Sequence, residues 1–221
     1  MFENGLFMLL VNGLWETLYM TLVSTALAYA IGLPLGVIVS ATDKDGVKPC
    51  PIVNKILGFV INFVRSVPFI ILLISILPVT RFLVGTTIGS TATIVPLVFA
   101  SAPYIARLVE SSIKEVDSGV IEAAQSMGTP PLKMITKVLL PESKPSLIVG
   151  SAIAVTTILG YTAMAGFVGG GGLGAIAINY GYNRYNSQVM FVTVLILVVV
   201  VQVFQEVGMR LARKLDKRIH H

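Results

Sequence analysis

The stretch Glu122-Ala123-Ala124, followed by Gly128 and then by Val138-Leu139-Leu140-Pro141, decides how this chain is read. It is polar, and it lies between long stretches that carry almost no charge. Ser118-Gly119 opens a short helix over Val120 to Met127. Gly128 stands at the C′ position, where helices often end in a left-handed residue that glycine adopts without steric cost. Thr129 precedes a proline and is therefore extended, with a hydroxyl placed to cap the next helix. Pro130 suits the first turn of that helix. Leu132, Ile135, Thr136 and Leu139 follow at helical spacing, with Lys133 and Lys137 on another face, and Pro141 ends the run. The expectation is two short helices joined at an angle by a tight glycine turn. Ala123, Ala124 and Ser126 give the first helix little bulk, so another protein can approach it closely, and Glu122 adds a fixed negative charge. A hairpin lying on lipid would need basic and bulky apolar residues instead. The stretch reads as a docking element in a chain driven by something else.

Composition sets the surroundings. The 221 residues are 55% hydrophobic and only 12% charged, against about 25% charged in a soluble domain. With a mean hydropathy of +0.85, the chain reads as a single all-α integral membrane domain over residues 1–221. Crossing a bilayer takes about 20 mostly apolar residues. Five stretches qualify, near 17–41, 57–79, 88–106, 147–168 and 189–205, and the polar loop between the third and fourth covers 107–144. Prolines 34, 68, 78, 96 and 103 fall in or near these spans, where they predict kinks or packing irregularities. The first apolar stretch is too long for a signal-peptide core and lacks a basic leader, so it is expected to be a retained span. The single cysteine, Cys50, rules out an intrachain disulfide and reads as a loop thiol between Pro49 and Pro51. The terminal Ile219-His220-His221 suggests no function.

The basic residues set the orientation. Lys44, Lys48, Lys55 and Arg65 belong to the first internal loop and the start of the second span. Arg107, Lys114, Lys133, Lys137 and Lys144 belong to the long loop, and Arg210, Arg213, Lys214, Lys217 and Arg218 to the tail. The opposite side holds only Arg81 and Arg184. The N-terminus is therefore expected outside and the C-terminus in the cytoplasm. The formal charge of +5 is then a topology signal, not a nucleic-acid footprint. Arg65, near the inner end of the second span, either snorkels to the headgroups or helps close an inner mouth.

The loop pattern resembles the signature of bacterial ABC importer permeases: Glu-Ala-Ala, three residues, Gly, nine residues, an aliphatic residue, any residue, Leu-Pro. Here it reads Glu122-Ala123-Ala124, Gly128, Val138 and Leu140-Pro141, without departure. Within that family the chain is most similar to methionine importer permeases. The likeness extends to Trp15-Glu16-Thr17-Leu18, to Arg65-Ser66-Val67-Pro68-Phe69, and to Ala102-Pro103-Tyr104-Ile105-Ala106-Arg107. It also includes Leu159-Gly160-Tyr161-Thr162-Ala163-Met164 and Gly170-Gly171-Gly172-Leu173-Gly174. The resemblance implies a type I ABC importer permease fold with five transmembrane helices in a two-fold homodimer. It implies that Glu122, Ala123, Ala124, Gly128, Leu140 and Pro141 couple the chain to an ATPase subunit present in two copies. An extracytoplasmic methionine-binding protein would deliver substrate to this multi-pass component of the bacterial inner membrane. ATP and magnesium would be bound by the ATPase, with no cofactor in this chain.

The glycine run Gly169 to Gly172, with Gly174, invites a phosphate-binding reading. It follows a membrane helix and not a strand, and no Gly-Lys-Ser/Thr ending exists in the chain. An extracytoplasmic turn with close helix packing is the better expectation. It leads into Tyr180, Tyr182 and Tyr185, which suit interfacial anchors or contacts with an external partner. The only histidines are the last two residues, so neither a metal set nor a Ser-His-Asp triad can be assembled. The spans hold no carboxylate to relay protons, which argues against an ion-coupled secondary transporter. A permease for another amino acid or a small peptide differs only in substrate, and a membrane scaffold without transport is the remaining alternative. For the pathway the fourth span is favoured, with Tyr161 and Met164 near its outer end beside small residues. Met164 there serves either as a soft hydrophobic gate, since thioethers repack easily, or as an interface filler.

Overall fold

Apolar side chains in unbroken runs leave the backbone only one way to satisfy its own N–H and C=O groups in lipid, the helix. The computed structural model describes residues 2–215, whose only regular structure is helix, without a strand among them. Lys217, Arg218 and the terminal His220-His221 lie outside the described residues. Four helices are long and apolar enough to cross a membrane, and a fifth span results if one broken pair is counted as one.

The helices outrun the apolar windows. α1 covers Phe2–Thr42 and stays helical through Pro34, so it starts well before the expected Thr17. Asn12 and Glu16 lower the hydropathy there without breaking the helix. The second expected span is not one helix. It divides into α2 (Pro51–Ser66), α3 (Phe69–Ser75) and α4 (Leu77–Val84). The break falls at Val67-Pro68, with Pro68 extended at φ −56°, ψ 136°. Proline removes one helical donor and pushes the residue before it out of the α region. Gly85, at φ 82°, ends α4. α5 runs Ser90–Lys114, past the expected end near 106 and through both Pro96 and Pro103. The polar stretch holds α6 (Ser118–Ser126), α7 (Pro131–Lys133), a π-helical segment (Met134–Leu139) and α8 (Leu140–Glu142). α9 (Lys144–Ala165) leads through a 3₁₀ turn to α10 (Gly172–Ile176) and a second π segment (Ala177–Tyr182). α11 (Ser187–Leu215) follows.

Two compact units make up the fold. The first contains Met1–Ala28, Val67–Ser101 and Ala154–Gln205. Its core joins Met20, Phe69, Leu73, Leu97, Ile158 and Ala165, and a second cluster gathers Leu10, Leu173, Ile176 and Val189. Hydroxyls on α1, buried at Thr17 and Thr21 and half-buried at Thr25, satisfy themselves locally: each donates to the carbonyl four residues back, at 2.7–2.8 Å. Around the glycine run the chain turns with almost no room. A Cβ on Gly166 would stand 2.5 Å from the Ala175 nitrogen, and one on Gly174 2.5 Å from Ala163 Cα. Close backbone packing is therefore the reason for these glycines, as expected of the turn.

The second unit contains Tyr29–Ser66, Ala102–Ile153 and Glu206–His221. Here Gly32 and Gly36 lay one stripe of α1 directly on α5. A Cβ at Gly32 would meet the Ala102 carbonyl oxygen at 2.6 Å, and one at Gly36 the Ala106 carbonyl oxygen at 2.4 Å. Small residues four apart let membrane helices approach to backbone contact, where van der Waals packing replaces the missing hydrophobic drive. Val39, Ile61 and Ala106 form the buried cluster beside this contact. Asn54 ties α2 to the end of α1 by donating to the Val39 carbonyl at 2.8 Å.

Candidate functional site

The docking stretch folds as two short helices around a glycine turn. α6 begins at Ser118, two residues before the expected Val120, because Asp117 is its N-cap. The Asp117 carboxylate accepts the Gly119 N–H at 2.7 Å, satisfying one of the donors a helix start leaves free. At the other end Gly128 sits at φ +71°. Its N–H donates to the Gln125 carbonyl at 2.8 Å, while Thr129 N–H reaches back to Ala124 O at 3.2 Å. This is the Schellman arrangement, and it requires the left-handed residue that glycine supplies. Nothing lies within 4 Å of a Cβ built on Gly128, so its role is conformational.

Three local expectations change. Pro130 does not open the second helix. It is extended, at ψ 152°, and Pro131 takes the first helical position. No side chain caps this helix, so the proposed Thr129 cap is not made. Nor does Pro141 end it: the helical run passes through the π segment Met134–Leu139 and continues over Leu140–Glu142. The Leu140 N–H donates to Ile135 O, five residues back. A π turn widens the helix by one residue, which accommodates the donor Pro141 lacks and the carbonyl its ring would strike. The widening also re-aims the faces. Met134 and Leu139, five apart, are the buried pair, whereas Leu132, expected on the apolar stripe, is 73% exposed.

The named docking residues divide accordingly. Glu122, Ala123, Gly128 and Pro141 are exposed, Leu140 is half-buried, and Ala124 is buried with its carbonyl committed to Thr129. Ala124 therefore supports the turn from inside. Met127 and Leu132, both largely exposed apolar residues flanking Gly128, belong to the surface the sequence reading missed. Their signal was an apolar residue on each side of a glycine turn in a polar segment.

Behind α6, the last turns of α5 carry a charge network. The Arg107 guanidinium bonds the Glu110 carboxylate, and it donates to Asn62 Oδ1 at 2.9 Å and to the Gly58 carbonyl at 3.3 Å. Lys114 Nζ lies 2.9 Å from the other Glu110 oxygen and 2.7 Å from Asp43 Oδ2. The hydrogen bond from Lys114, helped by the Lys44 backbone N–H, holds the Asp43 carboxyl below its usual range. Mutual pairing explains why α5 continues past Arg107 as a helix although its charge density rises.

The pathway candidates Tyr161 and Met164, three residues apart on one helix, have different surroundings. Tyr161 stacks on Phe69, with ring centroids 4.3 Å apart and planes 8° from parallel, and packs against the core of the first unit. Met164, on the same helix, is 48% exposed. Arg65 is exposed in the last turn of α2, two residues before the break at Val67-Pro68. Because α2 begins at Pro51, Arg65 lies about 21 Å along the helix axis from its start.

The glycine run carries a polar clasp that sequence reading did not anticipate. The Glu16 carboxylate accepts the Gly172 N–H at 2.6 Å, and Thr17 Oγ1 accepts the Leu173 N–H at 2.8 Å. A side chain from α1 thus occupies the start of α10, where a phosphate would have had to sit. Arg184 lies over the Tyr180 ring at 4.5 Å, while Tyr182 and Tyr185 are exposed. No group of three or more His, Cys, Asp or Glu suited to a metal ion occurs among the described residues.

Comparison with known proteins places this arrangement. Residues 32–221 match the family described as binding-protein-dependent transport system inner membrane component. The chain is 50% identical to the probable D-methionine transport system permease protein MetI of Vibrio cholerae, over 95% of this chain and 93% of that one. It is 44% identical to the methionine import system permease protein MetP of Bacillus subtilis, over 94% and 93% of the two chains. Among solved structures it superposes on an inward-facing conformation of the MetNI methionine ABC transporter with a TM-score of 0.93 at 44% identity. That match covers 95% of this chain and 97% of the other. With its all-helical membrane fold, its exposed glycine turn and a family match over most of its length, this chain is a member of the binding-protein-dependent transport system inner membrane components, the permease subunits of ABC importers.

Proposed function

We propose that this chain is the translocating subunit of an ATP-driven importer that carries methionine into the cytoplasm by alternating access. Two copies around a two-fold axis enclose the pathway, since five spans are few to do so alone. Two ATPase subunits seat the α6 turn of each copy, and a soluble binding protein supplies methionine from the outside. The N-terminus faces outward and the C-terminus the cytoplasm, in keeping with the basic residues gathered at the α5–α9 connection and the tail. The observation that carries the reading is the docking turn, with Glu122, Ala123 and Gly128 exposed on a rigid Schellman corner. The identity to methionine permeases supports the substrate.

In this scheme closure of the ATPase pair moves α6, and through α5 the two copies tilt. Met164, exposed on α9, meets its counterpart near the axis and closes the pathway to leak. Arg65 lines the inner mouth. Binding ATP and magnesium is the work of the ATPase, and this chain performs no bond chemistry. The deciding experiment is ATP-dependent uptake of labelled L-methionine into liposomes that hold this chain with its ATPase, binding protein being supplied on the binding-protein side. Saturable uptake that Glu122→Lys abolishes is the expected result. An assembled, ATP-hydrolysing complex that takes up no methionine would discard the substrate.

A further inference from the structure

We propose that Glu110 is a positioning residue for transport, the hub of a polar chain that transmits motion of the docking helix to α2 and to the end of α1. The proposal rests on the docking role of α6. The chain runs Asn62–Arg107–Glu110–Lys114–Asp43, and it lies wholly within the second unit. Glu110 is 7% exposed, and each of its two carboxylate oxygens takes a different cation, Arg107 three residues before it and Lys114 four after. Those cations reach in turn to two other elements, Arg107 to Asn62 and Gly58 of α2, and Lys114 to Asp43 just past α1.

Position makes the network a lever and not an ornament of one helix. α5 ends at Lys114, and only Glu115, Val116 and Asp117 separate it from α6. That connection is short-tethered. Glu115 N–H bonds Ser111 O and Val116 N–H bonds Ile113 O, both at 3.2 Å, and Asp117 caps α6. A displacement of α6 must therefore act on the α5 turn that carries Glu110. Stability alone gives a poor reason for this carboxylate. Buried ion pairs generally stabilise no better than apolar residues of similar volume, while losing one partner is costly. Directional ties between three elements are what the paired charges add.

The test uses the assembled transporter in liposomes and measures methionine taken up per ATP hydrolysed. Glu110→Gln keeps the shape and removes the charge. Uptake per ATP should fall about fivefold or more, the lower end of ordinary coupling between sites, while ATP hydrolysis stays within about twofold. A loss of fold alone lowers both rates together and leaves their ratio unchanged. Asp43→Asn, at the accessible end of the chain, should lower the ratio in the same direction by less. If Glu110→Gln does not assemble, Asp43→Asn decides: a reduced ratio supports the proposal and an unchanged ratio overturns it. Unchanged ratios in both assembled variants overturn it as well. Gly128→Val in parallel separates the two readings, because an ATPase that stays bound and coupled in that variant removes the docking role instead.

Discussion

Gly128 and Asp117 show how much of the proposed docking corner rests on two residues. At φ +71°, any residue with a Cβ pays roughly 1–2 kcal/mol to stay left-handed. The space around Gly128 is open, so the penalty is purely conformational. Gly128→Val should therefore release the ATPase, read as loss of co-purification in detergent, while the rest of the fold keeps its thermal midpoint. Asp117→Ala removes the cap of α6 and should cost about 1 kcal/mol of local stability, seen as faster amide exchange confined to α6. Asp43 offers a pH signature. Its carboxyl is held low by Lys114, so its contribution to stability is complete above the unfolded value near 3.9. That contribution is lost as pH falls through the lower folded value. Asp43→Asn should therefore unfold more readily than the unaltered chain at neutral pH, and the difference should vanish in acid. Thermal unfolding in detergent across that range measures it.

Among the elements, the α1–α5 contact and the α7–α8 run teach opposite lessons about legibility. Gly32 and Gly36 stand four residues apart, but which helix they meet depends on chain topology and not on the spacing. Gly36→Leu would drive a side chain into the Ala106 carbonyl and Val109 and should prevent stable insertion, detected as loss of folded protein from membranes. The run from Pro131 to Glu142 misled the periodicity. A stripe at 3.6-residue spacing selects Leu132, Ile135 and Leu139, whereas the widened π turn buries Met134 and Leu139. Pro141 signals a disruption either way. Whether the helix stops or widens depends on what packs beside it, and α6 lies against this segment. The second span behaved similarly: its hydropathy is continuous across Pro68, yet the helix is not.

For the whole molecule, the proposal that two copies meet near Met164 has a direct check. Cys50 is the only cysteine, so Cys50→Ser gives a thiol-free chain into which Met164→Cys can be placed. Oxidation in native membranes should then yield a covalent dimer, which a cysteine at the exposed Phe191 of α11 should not. Absence of the dimer while the transporter is assembled would remove Met164 from the axis. Outward-facing apolar side chains are abundant, Phe59, Phe63, Phe82 and Phe191 among them, as suits a chain whose outer surface meets lipid or another copy.

What the amino-acid sequence determined alone is the class of molecule and the place of its Gly128 turn. A run of apolar residues has one backbone solution in lipid, and a glycine after a short polar helix has one favoured conformation, so both are local consequences. That Arg107 and Lys114 reach on to Asn62 and Asp43, why Glu16 reaches Gly172, and that Ala124 turns inward while Met127 turns out were decided only by the tertiary structure. Glu16 and Gly172 are 156 residues apart, and Asp43 stands far from Lys114 in sequence. Partners so distant are chosen by how the helices pack, and neither periodicity nor propensity carries that information.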